Sequence, residues 1–167
     1  MFSNNLLALS AQIGKELLAS HQTLAVAESC TGGLIGHILT AVPGSSDYFI
    51  GGIIAYSNAV KVNLLRVDPA VLLQEGAVSA AVVAQMASGI AHLMGSDWGV
   101  AISGIAGPGG GTPEKPVGLV WIGLATKKSE ALARKFYFNG DRREIKEAAA
   151  QMALTLLLED LQGKRQV

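Results

Sequence analysis

Only one cysteine, Cys30, occurs among the 167 residues, which rules out an internal disulfide and a cysteine-built zinc cluster. Histidine is nearly as scarce. His21, His37 and His92 lie far apart, with no metal-ligand spacing among them. An excess of one charge is missing too, because 13 Lys and Arg balance 13 Asp and Glu. With no basic stretch either, a nucleic-acid-binding surface is not expected. Mean hydropathy is +0.37, yet no uncharged run is apolar enough to span a bilayer. Residues 78–94 come nearest, and Ser, Gln and His interrupt them. The start, MFSNNLLALSAQIGKELL, has no basic opening and no long apolar core before a small-residue cleavage site, so no signal peptide is expected. These absences lead to the expectation of a cytoplasmic protein with no metal, no cofactor, no nucleic acid and no membrane among its partners.

Half of the residues are hydrophobic, only 5% are aromatic, and 20 are glycine. That composition suits a closely packed α/β protein, and the length suits one domain over residues 1–167. Leu6, Leu9, Ile13 and Leu17 recur at helical spacing. TLAVAE (23–28) has the length of a strand, and GGLIGHILTAV (32–42) reads as a helix stopped by Pro43. YFIGGIIAY (48–56) reads as a strand. SNAVKVNLLRV (57–67) reads as a helix that Ser57 or Asn58 could cap. A longer helix over 79–95 leads to a buried strand, DWGVAIS (97–103), and then a Gly/Pro-rich loop over 104–118. LVWIGLAT (119–126) and ALARKFYFN (131–139) form a hairpin through the charged turn KKSE, and an amphipathic helix over 141–162 closes the chain. Helix and strand alternate in the first half, and the hairpin adds antiparallel strands. The expected architecture is a three-layer α/β/α sandwich with a mixed, mainly parallel sheet.

Four polar clusters follow the predicted elements. Glu28-Ser29-Cys30-Thr31-Gly32-Gly33 packs a carboxylate, two hydroxyls and two glycines into a strand-to-helix turn. A helix start offers free N–H groups to an anion or an oxyanion, although a single hydroxyl there could be only a cap. Gly44-Ser45-Ser46 is either a solvated turn or part of a site. In Tyr56-Ser57-Asn58-Ala59-Val60-Lys61 the lysine stands one turn into a helix, where it is either exposed or a desolvated base. Ser103-Gly104 opens a glycine-rich loop that is a flexible connection or a ligand cradle. Asp141 and Glu144 have capping-box spacing, which leaves Arg142 and Arg143 as a solvated pair or a site for an anion. None of the histidines lies in a cluster, so a Ser-His-Asp triad is not expected, whereas a serine activated by lysine is possible. GPGGGT lacks the G-K-[ST] ending of a P-loop.

AESCTGG, PGSS, YSNAVK, GAVS, SGIAGPGGGTPEKPVG and FNGDRREIK occur in this order. In these motifs the chain, over roughly Leu6 to Leu161, resembles the C-terminal domain of the competence/damage-inducible CinA proteins. Members without the extra N-terminal domain resemble nicotinamide-nucleotide amidases, and no room for that domain is expected here. The resemblance implies metal-free hydrolysis of nicotinamide mononucleotide to nicotinic acid mononucleotide and ammonia, within pyridine-nucleotide recycling. It implies Ser46, Tyr56, Lys61, Ser103 and Arg142 as functional positions, with Ser29, Thr31, Gly32, Gly33, Ser45 and Gly104 in the same pocket. On this reading Ser46 is the nucleophile, with Ser29 as the alternative serine, Lys61 the base and then the acid, and Tyr56 an aid to proton transfer. Ser46 and Lys61 flank one strand, so they must meet across the sheet edge or through a neighbouring segment. Arg142 and the amides near Thr31–Gly33 would hold the phosphate, and Cys30 would be structural. The resemblance also suggests a homodimer. The alternatives are an amidase for another pyridine carboxamide, and a nucleotide-binding module without catalysis.

Overall fold

The computed structural model describes residues 4–127 and 129–164. Lys128, within the expected KKSE turn, and the first residues of the N-terminal stretch lie outside the described residues. Among the described residues six α-helices and five strands follow in the order α1 (Asn4–Ala19), β1 (Leu24–Glu28), α2 (Leu34–Thr40), β2 (Phe49–Ile54), α3 (Asn58–Leu65), α4 (Pro69–Glu75), α5 (Ala80–Met94), β3 (Trp98–Gly104), β4 (Leu119–Thr126), β5 (Ser129–Tyr137) and α6 (Arg142–Leu161). The strands form one sheet in the order β2-β1-β3-β4-β5. β1 runs parallel to β2 and to β3, and β4 and β5 continue the sheet antiparallel.

The two faces of the sheet are built from residues of different size. Leu24, Val26, Val100, Ile102, Val120 and Ile122 point to the face covered by α1, α2 and α6. Ala25, Ala27, Ala101 and Ala125 point to the other face, against Val82, Val83, Met86 and Ile90 of α5. Period-2 alternation of large and small side chains thus sets two layer spacings, because small side chains let a helix approach. Gly99 and Gly123 mark the closest approach. A Cβ on Gly99 would stand 2.1 Å from the Ala87 carbonyl oxygen, and one on Gly123 2.6 Å from that of Val83. The structure is therefore the three-layer α/β/α sandwich with a mixed sheet that the sequence led us to expect.

One helix has no counterpart in the sequence reading. The α4 helix carries its signature in Asp68-Pro69, in which Asp68 caps the Ala70 amide at 2.8 Å and Pro69 takes the first helical position. Its seven residues include none that is buried, so hydrophobic periodicity could not reveal it. The capping box of α6 is present as expected, with Asp141 accepting from the Glu144 amide and Glu144 from the Asp141 amide. Ser57, rather than Asn58, caps α3 by accepting from the Val60 amide.

Candidate active site

Parallel register brings three strand ends together. Glu28 pairs with Ile54 on one side and Ile102 on the other, so the residues after β1 and β2 and the last residues of β3 share one edge of the sheet. Backbone bonds extend this alignment past the strands: the Ser29 amide donates to Ile102 O and the Ala55 amide to Glu28 O. Ligand sites in open α/β sheets gather at such an edge. Here it carries a pocket of about 220 Å³, lined by Ser29, Tyr56, Asn58, Lys61, Ser103 and Arg142 among others.

Lys61 reaches the base of this pocket from the first turn of α3, and its side chain is only 1% exposed. Its Nζ donates to the Ala55 carbonyl at 2.7 Å and stands 3.3 Å from Ser29 Oγ. Burial holds its pKa below the ordinary lysine value, and a smaller influence of Cys30 acts the other way. A neutral amine has two N–H groups and one lone pair. It can give a hydrogen to Ala55 and present the lone pair to the serine hydroxyl, which is the geometry a base needs.

The turn that carries Ser29 is held from within. Glu28 is buried, and its carboxylate accepts from the amides of Gly33 and Ile35 through Oε2 and of Gly36 through Oε1, at 2.8–3.1 Å. Gly33 meets this geometry with φ 97°, which favours glycine. The expectation that helix-start amides near Thr31–Gly33 hold a substrate anion is thereby corrected. The protein's own carboxylate occupies the Gly33 amide and two of the next three amides at the start of α2. Thr31 is buried with its hydroxyl unpartnered, and Gly32 stands beside the Lys146 ammonium.

Arg142, the first residue of α6, spans the mouth of the pocket. It donates through Nη1 to Gly107 O and through Nη2 to Tyr56 Oη, both at 2.8 Å. Tyr56 is 60% exposed, and its hydroxyl is oriented by that bond. Ser103 donates its hydroxyl proton to Ala77 O at 2.8 Å, so it ties the segment before α5 to the end of β3. Gly104 lines the pocket beside it. Cys30 is buried, and burial pushes its thiol up to about 12, far from the range of a reactive thiolate.

The expected pairing of Ser46 with Lys61 is not formed. Ser45 and Ser46 lie in a short 3-10 turn before β2, next to the start of β1, where Leu24 N donates to Tyr48 O. Lys61 follows the other end of β2, a strand of six residues that spans about 20 Å. Ser46 is exposed at the opposite edge of the sheet, so within the chain it cannot exchange a proton with Lys61, and Ser45 likewise lies outside the pocket. The structure brings together Ser29, Tyr56, Lys61, Ser103, Gly104 and Arg142 instead. Sequence reading had no signal for the Ala55 carbonyl, a backbone group, and it left the direction of the Glu28 carboxylate open.

A model of the CinA C-terminal domain matches residues 6–161. The chain is 53% identical over 155 residues to a CinA-like protein of Thermosynechococcus vestitus, covering 92% of this chain and 37% of that protein. It is 48% identical over 161 residues to a CinA-like protein of Trichodesmium erythraeum, covering 95% and 38%. It therefore spans little more than a third of the length of these curated relatives. Among solved structures, the competence/damage inducible protein CihA of Agrobacterium tumefaciens superposes with a TM-score of 0.93 at 36% identity, covering 97% of this chain and 98% of that one. The competence damage-inducible protein A of Klebsiella pneumoniae superposes with 0.92 at 34% identity, covering 97% and 100%. A matched family model over nearly the whole chain, joined to relatives this similar, places the chain in the CinA C-terminal domain family.

Proposed function

We propose that the chain is an amidohydrolase that removes ammonia from the carboxamide of nicotinamide mononucleotide, with Ser29 as nucleophile and Lys61 as base and then acid. The observation that carries the reading is the buried Lys61 amine 3.3 Å from the Ser29 hydroxyl at the floor of a pocket. The choice of a nicotinamide nucleotide rests on the motif resemblance alone.

In this mechanism Ser29 Oγ attacks the carboxamide carbon as its proton passes to Lys61 Nζ. Lys61 returns the proton to the departing nitrogen, which leaves as ammonia, and an ester to Ser29 remains. Water then attacks that ester as Lys61 takes its proton, and Lys61 passes the proton to Ser29 Oγ as the bond between the carbonyl carbon and Oγ breaks, which releases the nucleotide acid and restores the neutral amine. Tyr56, held by Arg142, borders the reacting carboxamide and steadies the proton transfer.

Ammonia release from nicotinamide mononucleotide by the purified chain is the direct test. Turnover that disappears in Ser29→Ala supports the reading. Binding of the nucleotide without ammonia release would instead favour a nucleotide-binding module.

A further inference from the structure

Beside the reaction pocket lies a second cavity of about 640 Å³, and Ala106 and Arg142 line both. Leu34, Ala106, Pro108 and Val117 give it an apolar wall, while Arg142, Arg143 and Lys146 supply cations from the first turns of α6. Asp141 and Glu147 also border it. These charges are not equivalent. Asp141 is engaged as the cap of α6, and Arg143 approaches Glu147 at 4.0 Å. Arg142 donates to two neutral oxygens, Gly107 O and Tyr56 Oη, which fix its guanidinium at the mouth of the reaction pocket but leave its charge without a counter-ion. Lys146 has no carboxylate partner among the described residues, and its Nζ would lie 3.7 Å from a Cβ on Gly32, in the turn that carries Ser29. Arg142 and Lys146 are thus the two cations here without a carboxylate partner among the described residues, and Lys146, whose ammonium is not fixed by a hydrogen bond among those residues, stands between the turn of Ser29 and an apolar cavity that adjoins the reaction pocket.

We infer that this cavity receives the phosphorylated sugar of the substrate and that Lys146 is the residue that reads its phosphate. The inference rests on the amidase reading for the identity of the substrate. An apolar wall suits the ribose, and a half-buried ammonium without a counter-ion suits a phosphate monoester, since a charge-assisted bond there displaces no existing ion pair. Three amides at the start of α2, a further source of positive potential at this edge, already serve Glu28.

The test compares nicotinamide mononucleotide with its phosphate-free riboside on wild type, Lys146→Met and Lys146→Arg. Lys146→Met should raise KM for the nucleotide about ten- to hundredfold with kcat nearly kept, and KM for the riboside by less than about threefold. Lys146→Arg should recover most of the nucleotide's KM. Equal losses on both substrates, or no loss on either, would overturn the inference. Calorimetric titration of the same two compounds into Ser29→Ala and Ser29→Ala/Lys146→Met separates this from the fate of the amidase reading. If wild type releases no ammonia, that reading fails, and a nucleotide preference in binding that vanishes with Lys146→Met still upholds the phosphate site. Absent binding, or a nucleotide preference that survives the substitution, overturns it.

Discussion

Lys61 shows how one side chain couples stability to chemistry. Its pKa is lowered in the folded protein by burial, so between that value and the ordinary lysine value the unfolded chain binds more protons than the folded one. Stability must then rise with pH across this window. Below it the folded state carries the full cost of a buried ammonium, and above it that cost is gone. Urea titrations of wild type and Lys61→Met at a series of pH values should show a gain with rising pH in wild type that the variant lacks. On the proposed mechanism the same titration governs activity, because only the neutral amine can take the serine proton. The alkaline-going rise of kcat/KM should fall below the ordinary lysine value, and Lys61→Arg, which stays charged, should be inactive. Cys30 is the complementary case. With its thiol pushed up to about 12 and buried, alkylation of the native protein should be slow, and Cys30→Ala should retain most activity. Rapid alkylation accompanied by loss of turnover would identify the thiol as a participant.

At the scale of elements, the unit that matters is β1, its turn and α2. Glu28 bonds three amides of that turn and helix, which fixes where Ser29 stands relative to Lys61. Glu28→Gln removes the charge and turns half of the acceptor into a donor facing N–H groups. It should lower stability by about 1.5–3 kcal/mol, measured by urea unfolding, and lower kcat more than it alters KM. Unchanged kcat in a folded Glu28→Gln protein would show that the turn holds its shape without the carboxylate. Elements were also where the sequence was most legible. The 119–126 strand and the capping box of Asp141 and Glu144 could be read directly, because an apolar run of strand length and cap spacing are local signals. The α4 helix was not, since it buries no residue that would have marked a period.

Across the whole molecule, the polarity of the sheet decides which polar clusters can cooperate. The motifs after β1 and β2 and at the end of β3 share an edge, whereas Gly44-Ser45-Ser46, which precedes β2, is carried to the opposite one. Sequence alone could find the clusters, because each concentrates hydroxyls and glycines in a short run. It could not pair them, since pairing depends on strand order and register, which are non-local. Cluster content alone left each of these residues open between a structural and a functional part; the resemblance grouped Ser29, Lys61, Tyr56, Ser103 and Arg142 with Ser46 in one pocket, and the register of the sheet keeps the first five together and separates Ser46. The proposed mechanism turns on which serine attacks, and ammonia release from nicotinamide mononucleotide by Ser29→Ala and Ser46→Ala, each verified as folded, distinguishes the two. Ser29→Ala should lose on the order of a thousandfold or more in kcat, while Ser46→Ala stays within a few fold of wild type. A dead Ser46→Ala enzyme beside an active Ser29→Ala enzyme would contradict the account.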